Sequence, residues 1–302
     1  MNPSTVVGSP QSAISAHTRS LAIIGDPIGH SLTPHIQNAA WQALREEGVA
    51  GDVVNVAFRV TTENLEVAVR GAQALGLLGV MVTIPHKERV LALCDELDES
   101  ARLMGAANLL QFREDGKIIG HSSDGWAAIE SLKEEGVTIE NTCIALLGGG
   151  GAARSLALTF ARAGAREIRI INRTLARAEA IVAEIRALGV VASAVEPELS
   201  TLQITLDDCD LLVNATSVGM HPRENESPVP DGVLAPHLAV YDIVYNPLET
   251  RLLRAARACG ARAVDGLGML IYTNVYAARV CAGSTLAPTV MRRAALHALA
   301  KT

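Results

Sequence analysis

TCIALLGGGGAARSLALTFARAGAREIRIINRTLAR, residues 142–177, decides how the rest of the chain is read. An apolar run from Cys143 to Leu147 has the length of a buried strand, four glycines follow, and an alanine-rich segment of helical period comes after them. Strand, tight turn and helix in that order make a βα unit whose helix N-terminus offers unpaired N–H groups and the positive end of a dipole to an anion. Within the turn, Gly148, Gly150 and Ala153 fit the G-x-G-x-x-G/A spacing of a dinucleotide fingerprint. Gly148, Gly149, Gly150, Gly151 and Ala152 are therefore the expected cradle for a pyrophosphate.

A second expected strand, Glu167 to Ile171, ends in Asn172-Arg173-Thr174, with Arg177 one helical turn on. An NAD site places Asp or Glu about 20 residues after the glycines to accept from the ribose hydroxyls, whereas an NADP site needs cations for the 2′-phosphate. No acid stands at that point. Arg173 and Arg177 supply planar forks of donors, and the Thr174 hydroxyl adds another. NADP is the expected cofactor, with NAD possible.

At 302 residues the chain is long enough for two domains. It has no uninterrupted apolar run of the roughly 18 residues a membrane span requires. A net charge of −6 without a basic block argues against nucleic acid or an anionic membrane and for a small-molecule partner. Residues 1–20 are small and polar, with neither the charged start nor the apolar core of a signal peptide, so a disordered tail and a cytoplasmic location are expected. Five scattered cysteines without a C-x-x-C pair read as buried thiols of a reducing compartment. The eight histidines show no metal-ligand spacing, so no metal is expected.

Strands are expected at Leu21 to Gly25, Val53 to Val60 and Gly79 to Ile84, and helices at Pro34 to Glu47 (with Thr33 as N-cap), Thr62 to Leu75 and Asp95 to Met104. Two extended runs, Ala107 to Phe112 and Lys117 to Gly120, flank a hairpin-like turn at residues 114–116, and a helix starts near Asp124. Beyond the fingerprint, strands at Leu211 to Ala215 and Ala239 to Tyr245 alternate with helices at Ala176 to Ala187 and Thr250 to Cys259, and helices Leu267 to Ala282 and Pro288 to Leu299 close the chain. Such alternation implies parallel βαβ units and an α/β fold, with a domain boundary near Asp124. The polar loop 221–230, HPRENESPVP, is a candidate lid.

Removing a hydride from an alcohol carbon requires the hydroxyl proton to leave as well, so a proton-handling pair should stand in the first domain. Lys87 follows the strand VMVTI through Pro85, and Asp124 lies where the chain crosses between domains. A carboxylate beside a lysine favours the ammonium, so the consistent reading is a pair that shares protons with the substrate hydroxyl rather than a deprotonated lysine acting alone.

The motifs GDPIGHSLTPHIQN, MVTIPHK, GAANLL, SSDGWA, GGGGAAR, NRTLAR, NATSVGM, DIVYNPLET and DGLGML, from about residue 21 to 300, resemble the shikimate dehydrogenase family in order and spacing. That resemblance implies a two-domain α/β protein, with an N-terminal substrate domain (21–123) completed by C-terminal helices (266–302) and a Rossmann NADP-binding domain (124–265) between them. It implies reduction of 3-dehydroshikimate to shikimate, or action on quinate or a related cyclic hydroxy acid, by a monomer or homodimer. Lys87 and Asp124 match the family's catalytic pair, Ser31 and Thr33 the hydroxyls that hold the substrate carboxylate, and Thr83 and Asn108 the ring-hydroxyl contacts. Asn214 to Met220, including Thr216 and Val218, match residues lining the nicotinamide and the substrate mouth, as do Tyr245 with its neighbour Val244, and Gly266.

The sequence departs from the family pattern around the substrate. Met81 replaces the asparagine of N-V-T-x-P-x-K, Thr273 the glutamine of M-L-x-x-Q, Thr33 the second serine of S-x-S, Leu109 the threonine of G-A-x-N-T, and Ser122 the asparagine of N-T-D. Losing a glutamine partner to a buried hydroxyl costs roughly 1 to 3 kcal/mol unless something replaces it. Quinate or aminoshikimate oxidation with NAD tolerated is the alternative enzyme reading, and a catalytically silent nucleotide sensor is the alternative outside enzymes.

Overall fold

The structure, a computed structural model, describes residues 14–49, 52–230 and 232–300. Its first half contains β1 (Arg19–Gly25), α1 (Thr33–Glu46), β2 (Val53–Arg59), α2 (Leu65–Ala74), β3 (Gly79–Val82), β4 (Glu96–Leu97), α3 (Glu99–Met104), β5 (Leu109–Phe112) and β6 (Ile118–His121). These strands form one sheet in the order β2-β1-β3-β5-β6-β4. The β1, β2 and β3 ladders are parallel, but β5 runs antiparallel to both β3 and β6, so the sheet is mixed. The hairpin expected around residues 114–116 supplies the reversal between β5 and β6.

Successive residues of β1 point to opposite faces, and the sequence fills both. Leu21 packs with Ile36, Ala40 and Trp41 of α1 on one side, while Ala22 and Ile24 pack with Leu65 and Val69 of α2 on the other. At the free edge of β2, the Asn38 side chain donates to Asn55 O at 2.9 Å and accepts from Asn55 N at 2.7 Å.

After α4 (Asp124–Glu134) come β7 (Cys143–Leu147), α5 (Gly151–Arg162), β8 (Glu167–Ile171), α6 (Leu175–Ala187), β9 (Val191–Val195), α7 (Leu199–Asp207), β10 (Leu211–Asn214), β11 (Ala239–Asp242), α8 (Arg251–Ala258) and β12 (Arg262–Val264). All six strands are parallel, in the order β12-β11-β10-β7-β8-β9. Strand order therefore reverses between β7 and β10, the crevice where open α/β sheets bind ligands.

The chain then returns to its first half. In α9 (Leu267–Ala282), Leu267, Ile271, Val275 and Ala278 recur at helical spacing, and with Met291 and Ala295 of α10 (Pro288–Leu299) they join the cluster around Leu21 and Trp41. α4 packs along α9, so the helix that leaves the first half lies on the helix that comes back.

Several sequence expectations shift locally. β1 starts at Arg19, inside the expected tail, and Thr18 Oγ1 donates to Asp52 Oδ2 at 2.7 Å; the rest of that tail, 1–13, lies outside the described residues. Thr33 is not the cap of α1: Leu32 at the cap position is already helical, and Ser31 Oγ accepts the Thr33 N–H at 3.3 Å. The helix expected from Asp95 begins only at Glu99, because the Asp95 carboxylate accepts from Ile118 N and Asp98 caps the helix through Ala101 N. β9 and α7 carry no signal comparable to their neighbours, being a small-residue edge strand and a short helix with three buried residues. Of the five free cysteines, only Cys143 and Cys209 are buried.

Candidate active site

Gly148 closes β7 with φ of +130°, and a Cβ there would stand 3.0 Å from Ala215 O at the end of β10. The turn is thus tight on the side facing the sheet and needs a glycine. On the other side it is open: a Cβ on Gly150 or Gly151 would meet nothing within 4 Å. No side chain caps α5 and no acid stands in its first turn. Free helical N–H groups bordering open space, with no competing carboxylate, suit a pyrophosphate.

Beside this turn lies a cavity of about 630 Å³ lined in part by Gly148, Asn172, Arg173, Thr216 and Val218. Asn172 fixes the β8 end by donating to Thr174 O at 2.8 Å. Arg173, Thr174 and Arg177 are exposed, and neither arginine has an ion pair or side-chain hydrogen bond among the described residues. Arg177 stands against the glycine turn, since a Cβ on Gly149 would come within 3.0 Å of its own Cβ. Two uncommitted guanidinium groups, Arg173 on the cavity wall and Arg177 beside the glycine turn, fit a 2′-phosphate.

A second cavity, about 340 Å³, spans the cleft between the halves and is lined by Thr33, Met81, Thr83, Lys87, Asn108, Asp124, Ala152, Tyr245, Gly266 and Thr273, among others. Sequence separation ends here: Lys87 Nζ stands 2.7 Å from Asp124 Oδ2, and Asn108 Nδ2 donates to Asp124 Oδ1 at 2.7 Å. Asn108 Oδ1 in turn accepts from both Ser123 N and Ser123 Oγ, which fixes the amide orientation. The Lys87 and Asp124 side chains are 35 % and 22 % exposed, so the pair remains reachable from the cavity. Because Lys87 comes from the first half, Asp124 from the start of α4 and Ala152 from α5, the pair faces the nucleotide turn across the cleft.

A buried network shapes the loops on the nucleotide side. Asp242, at the end of β11, accepts from Asn214 Nδ2 (2.9 Å), Val244 N (3.1 Å) and Thr250 Oγ1 (2.7 Å). Thr216 Oγ1 donates to Asn214 Oδ1 at 2.7 Å and accepts from Val218 N at 3.1 Å. Burial pushes the Asp242 carboxyl up to about 6, against the three donors that favour its charged form. Burial likewise raises the Tyr245 phenol.

Not every sequence candidate reaches a cavity wall. Ser31, Gly149 to Gly151, Thr174, Arg177, Met220 and Val244 line neither cavity; Ser31 Oγ accepts from the Thr33 amide, Met220 is 46 % exposed, and Val244 is buried. Gly266 is a point of close approach, where a Cβ would stand 2.3 Å from Ile243 O. The loop 221–230 contributes Arg223, Glu226, Ser227 and three further residues to the wall of the nucleotide cavity. Sequence reading missed the apolar side of the cleft, Ile23, Ile243, Met269 and Leu270, because apolar residues of buried elements look alike whether they face core or cavity. Among the described residues no group of three or more His, Cys, Asp or Glu could hold a metal ion.

Fold and site together define a dinucleotide-binding α/β protein with an ionisable pair in its cleft. Residues 23–110 match the shikimate dehydrogenase substrate binding domain, and residues 130–231 match the shikimate / quinate 5-dehydrogenase family. The shikimate dehydrogenase (NADP(+)) of Methanopyrus kandleri is 44 % identical over 290 residues, covering 95 % of this chain and 98 % of the relative. A crystal structure of a shikimate dehydrogenase in complex with NADP+ superposes with a TM-score of 0.85 at 37 % identity, covering 97 % of this chain and 99 % of that one. The ligand-free 5-ketofructose reductase of Gluconobacter sp. strain CHM43 superposes with a TM-score of 0.85 at 33 % identity, covering 94 % and 100 %. The chain belongs to the shikimate dehydrogenase family.

Proposed function

We infer that the protein is an NADP-dependent oxidoreductase that interconverts 3-dehydroshikimate and shikimate, or a closely related cyclic hydroxy acid, by hydride transfer. The observation that carries this reading is the Asn108–Asp124–Lys87 chain of hydrogen bonds on the wall of a cavity that Ala152 of the nucleotide turn also lines. When bound, the nicotinamide supplies or accepts the hydride. Asp124, held through both oxygens, orients the substrate hydroxyl; the Lys87 ammonium stabilises the developing alkoxide and carries the proton. Ser31 and Thr33 take the substrate carboxylate, and Thr83 and Asn108 take ring hydroxyls. The substrate half comprises residues 21–123 with 266–302, and the nucleotide half 124–265. The enzyme works in the cytoplasm as a monomer or homodimer, which sedimentation would distinguish.

A second reading concerns the substrate. Thr273 Oγ1 donates to Leu270 O of its own helix at 2.7 Å, and Gln37 Nε2 approaches Met81 Sδ at 3.4 Å. Thr273 therefore presents no free donor to a hydroxyl, and the Met81 thioether, itself an acceptor, has none to give. A hydroxy acid or ketone with an apolar edge at this wall, or a smaller polyol ketone such as the one in the name of the Gluconobacter relative, fits these residues. Steady-state turnover of NADP+ and NAD+ with shikimate and quinate, and of NADPH with 5-ketofructose, decides between the readings. An absence of turnover with every compound would remove the enzyme reading altogether.

A further inference from the structure

The six-residue α3 lies between the two halves, held at both ends by the nucleotide helix. Its last carbonyls, Leu103 O and Met104 O, accept from Arg154 Nη2 at 3.1 Å and Nη1 at 2.6 Å. At its start, Glu99 pairs with Arg162 at 2.6 Å. Arg154 is in the first turns of α5, two residues after Ala152 on the cleft wall, and its guanidinium also pairs side-on with Glu184 of α6 through Nε (2.8 Å) and Nη2 (2.5 Å). A cation at the carbonyl end of a helix is electrostatically favourable, and only a planar fork can serve two carbonyls and a carboxylate at once.

On the far side of α3 the chain runs Gly105-Ala106-Ala107 directly into Asn108, the residue that holds Asp124. A second tie, Ser100 Oγ to Ser122 O at 2.7 Å, anchors α3 to the segment just before Asp124. One path of hydrogen bonds and short chain segments thus leads from the nucleotide turn through Arg154 and α3 to Asn108 and to Ser122, two residues before Asp124.

We propose that Arg154 is a positioning residue that couples the glycine-rich nucleotide turn to the Asn108–Asp124 contact through the C-terminal carbonyls of α3. The kinetic part of this proposal rests on the dehydrogenase reading; the structural part does not. Misplacing reacting groups by about 1 Å costs on the order of a hundredfold in rate, so a loosened strut acts on kcat before it acts on nucleotide affinity.

The test compares the wild type, Arg154→Lys, which keeps the charge but not the fork, and Glu184→Gln, which keeps an acceptor for Arg154 but not the ion pair. Amide hydrogen exchange over residues 99–109 is measured with and without NADP+ alone. NADP+ is expected to slow exchange there in the wild type and in Glu184→Gln, and to leave it unchanged in Arg154→Lys. In turnover, Arg154→Lys is expected to lose about tenfold or more in kcat with the NADP+ KM within about threefold, whereas Glu184→Gln stays within about twofold of wild type in both. Retained protection in Arg154→Lys, or equal kcat losses in the two variants, overturns the proposal. A wild type that oxidises no hydroxy acid removes the dehydrogenase reading, while the exchange comparison still decides the coupling.

Discussion

Asn108 Nδ2 stands 2.7 Å from Asp124 Oδ1 while Lys87 Nζ stands 2.7 Å from the other oxygen, so the carboxylate is held from two directions by residues of one half of the molecule. In the proposed reaction Lys87 and Asp124 have unequal roles. Lys87→Ala removes a group needed in the transition state and is expected to lower kcat at least about a hundredfold with a modest change in KM. Asp124→Asn, which also disturbs Asn108, should lose both kcat and affinity. Since the two side chains are in direct contact, the double variant should cost less than the sum of the singles. Lys87→Ala retaining more than about half of kcat would falsify this assignment.

Arg173 and Arg177 have no protein partner among the described residues, so replacing them leaves no stranded carboxylate in the fold. Changing both to glutamine should raise the KM for NADP+ far more than that for NAD+, with thermal stability near wild type. Equal effects on the two nucleotides would reassign the pair to solvent.

Thr273 spends its hydroxyl on Leu270 O. Thr273→Gln places an amide donor on that wall. It should improve kcat/KM for a substrate with a hydroxyl there by about tenfold, the worth of roughly one hydrogen bond, and leave substrates lacking that hydroxyl unimproved or worse. A uniform change across both classes would show that the position does not read the substrate.

Asp242 links folding to pH. Burial lifts its carboxyl from an ordinary 3.8 to about 6, so the folded state binds the proton more tightly than the unfolded chain. That contribution is complete below pH 3.8 and disappears as pH rises through about 6. Asp242→Asn cannot titrate. Between pH 4.5 and 7 the wild type should therefore lose about 2 kcal/mol relative to the variant, measured by denaturant unfolding at each pH. A difference between the two that stays flat across this window would mean that the carboxyl is not raised.

The nucleotide half was legible because its signals are local. The run from Cys143 to Leu147, the glycines and the following amphipathic segment each specify backbone geometry by themselves, and β7, α5, β8 and α6 fall close to where they are expected. Lys87 and Asp124 could be named from motifs, but Arg154 could not be given a role. Its partners Leu103, Met104 and Glu184 are backbone carbonyls and a helix-surface acid, with no sequence signature. The antiparallel β5 was only half visible, since a hairpin turn fixes the relation of β5 to β6 and not that of β5 to β3. Ser31 has a clear motif, and its hydroxyl oxygen also accepts from the Thr33 amide, a local contact no motif specifies.

The Asn38 side chain occupies the Asn55 backbone as a neighbouring strand would, one amide answering both the N–H and the C=O. Sheet growth from β2 would first have to strip this plug from Asn55. A helix residue thus works as a counterfeit strand midway along an edge that carries three valines and the half-exposed Phe58. Asn38→Ala would reopen it, and the cost would fall less on the folded molecule than on its fate at high concentration.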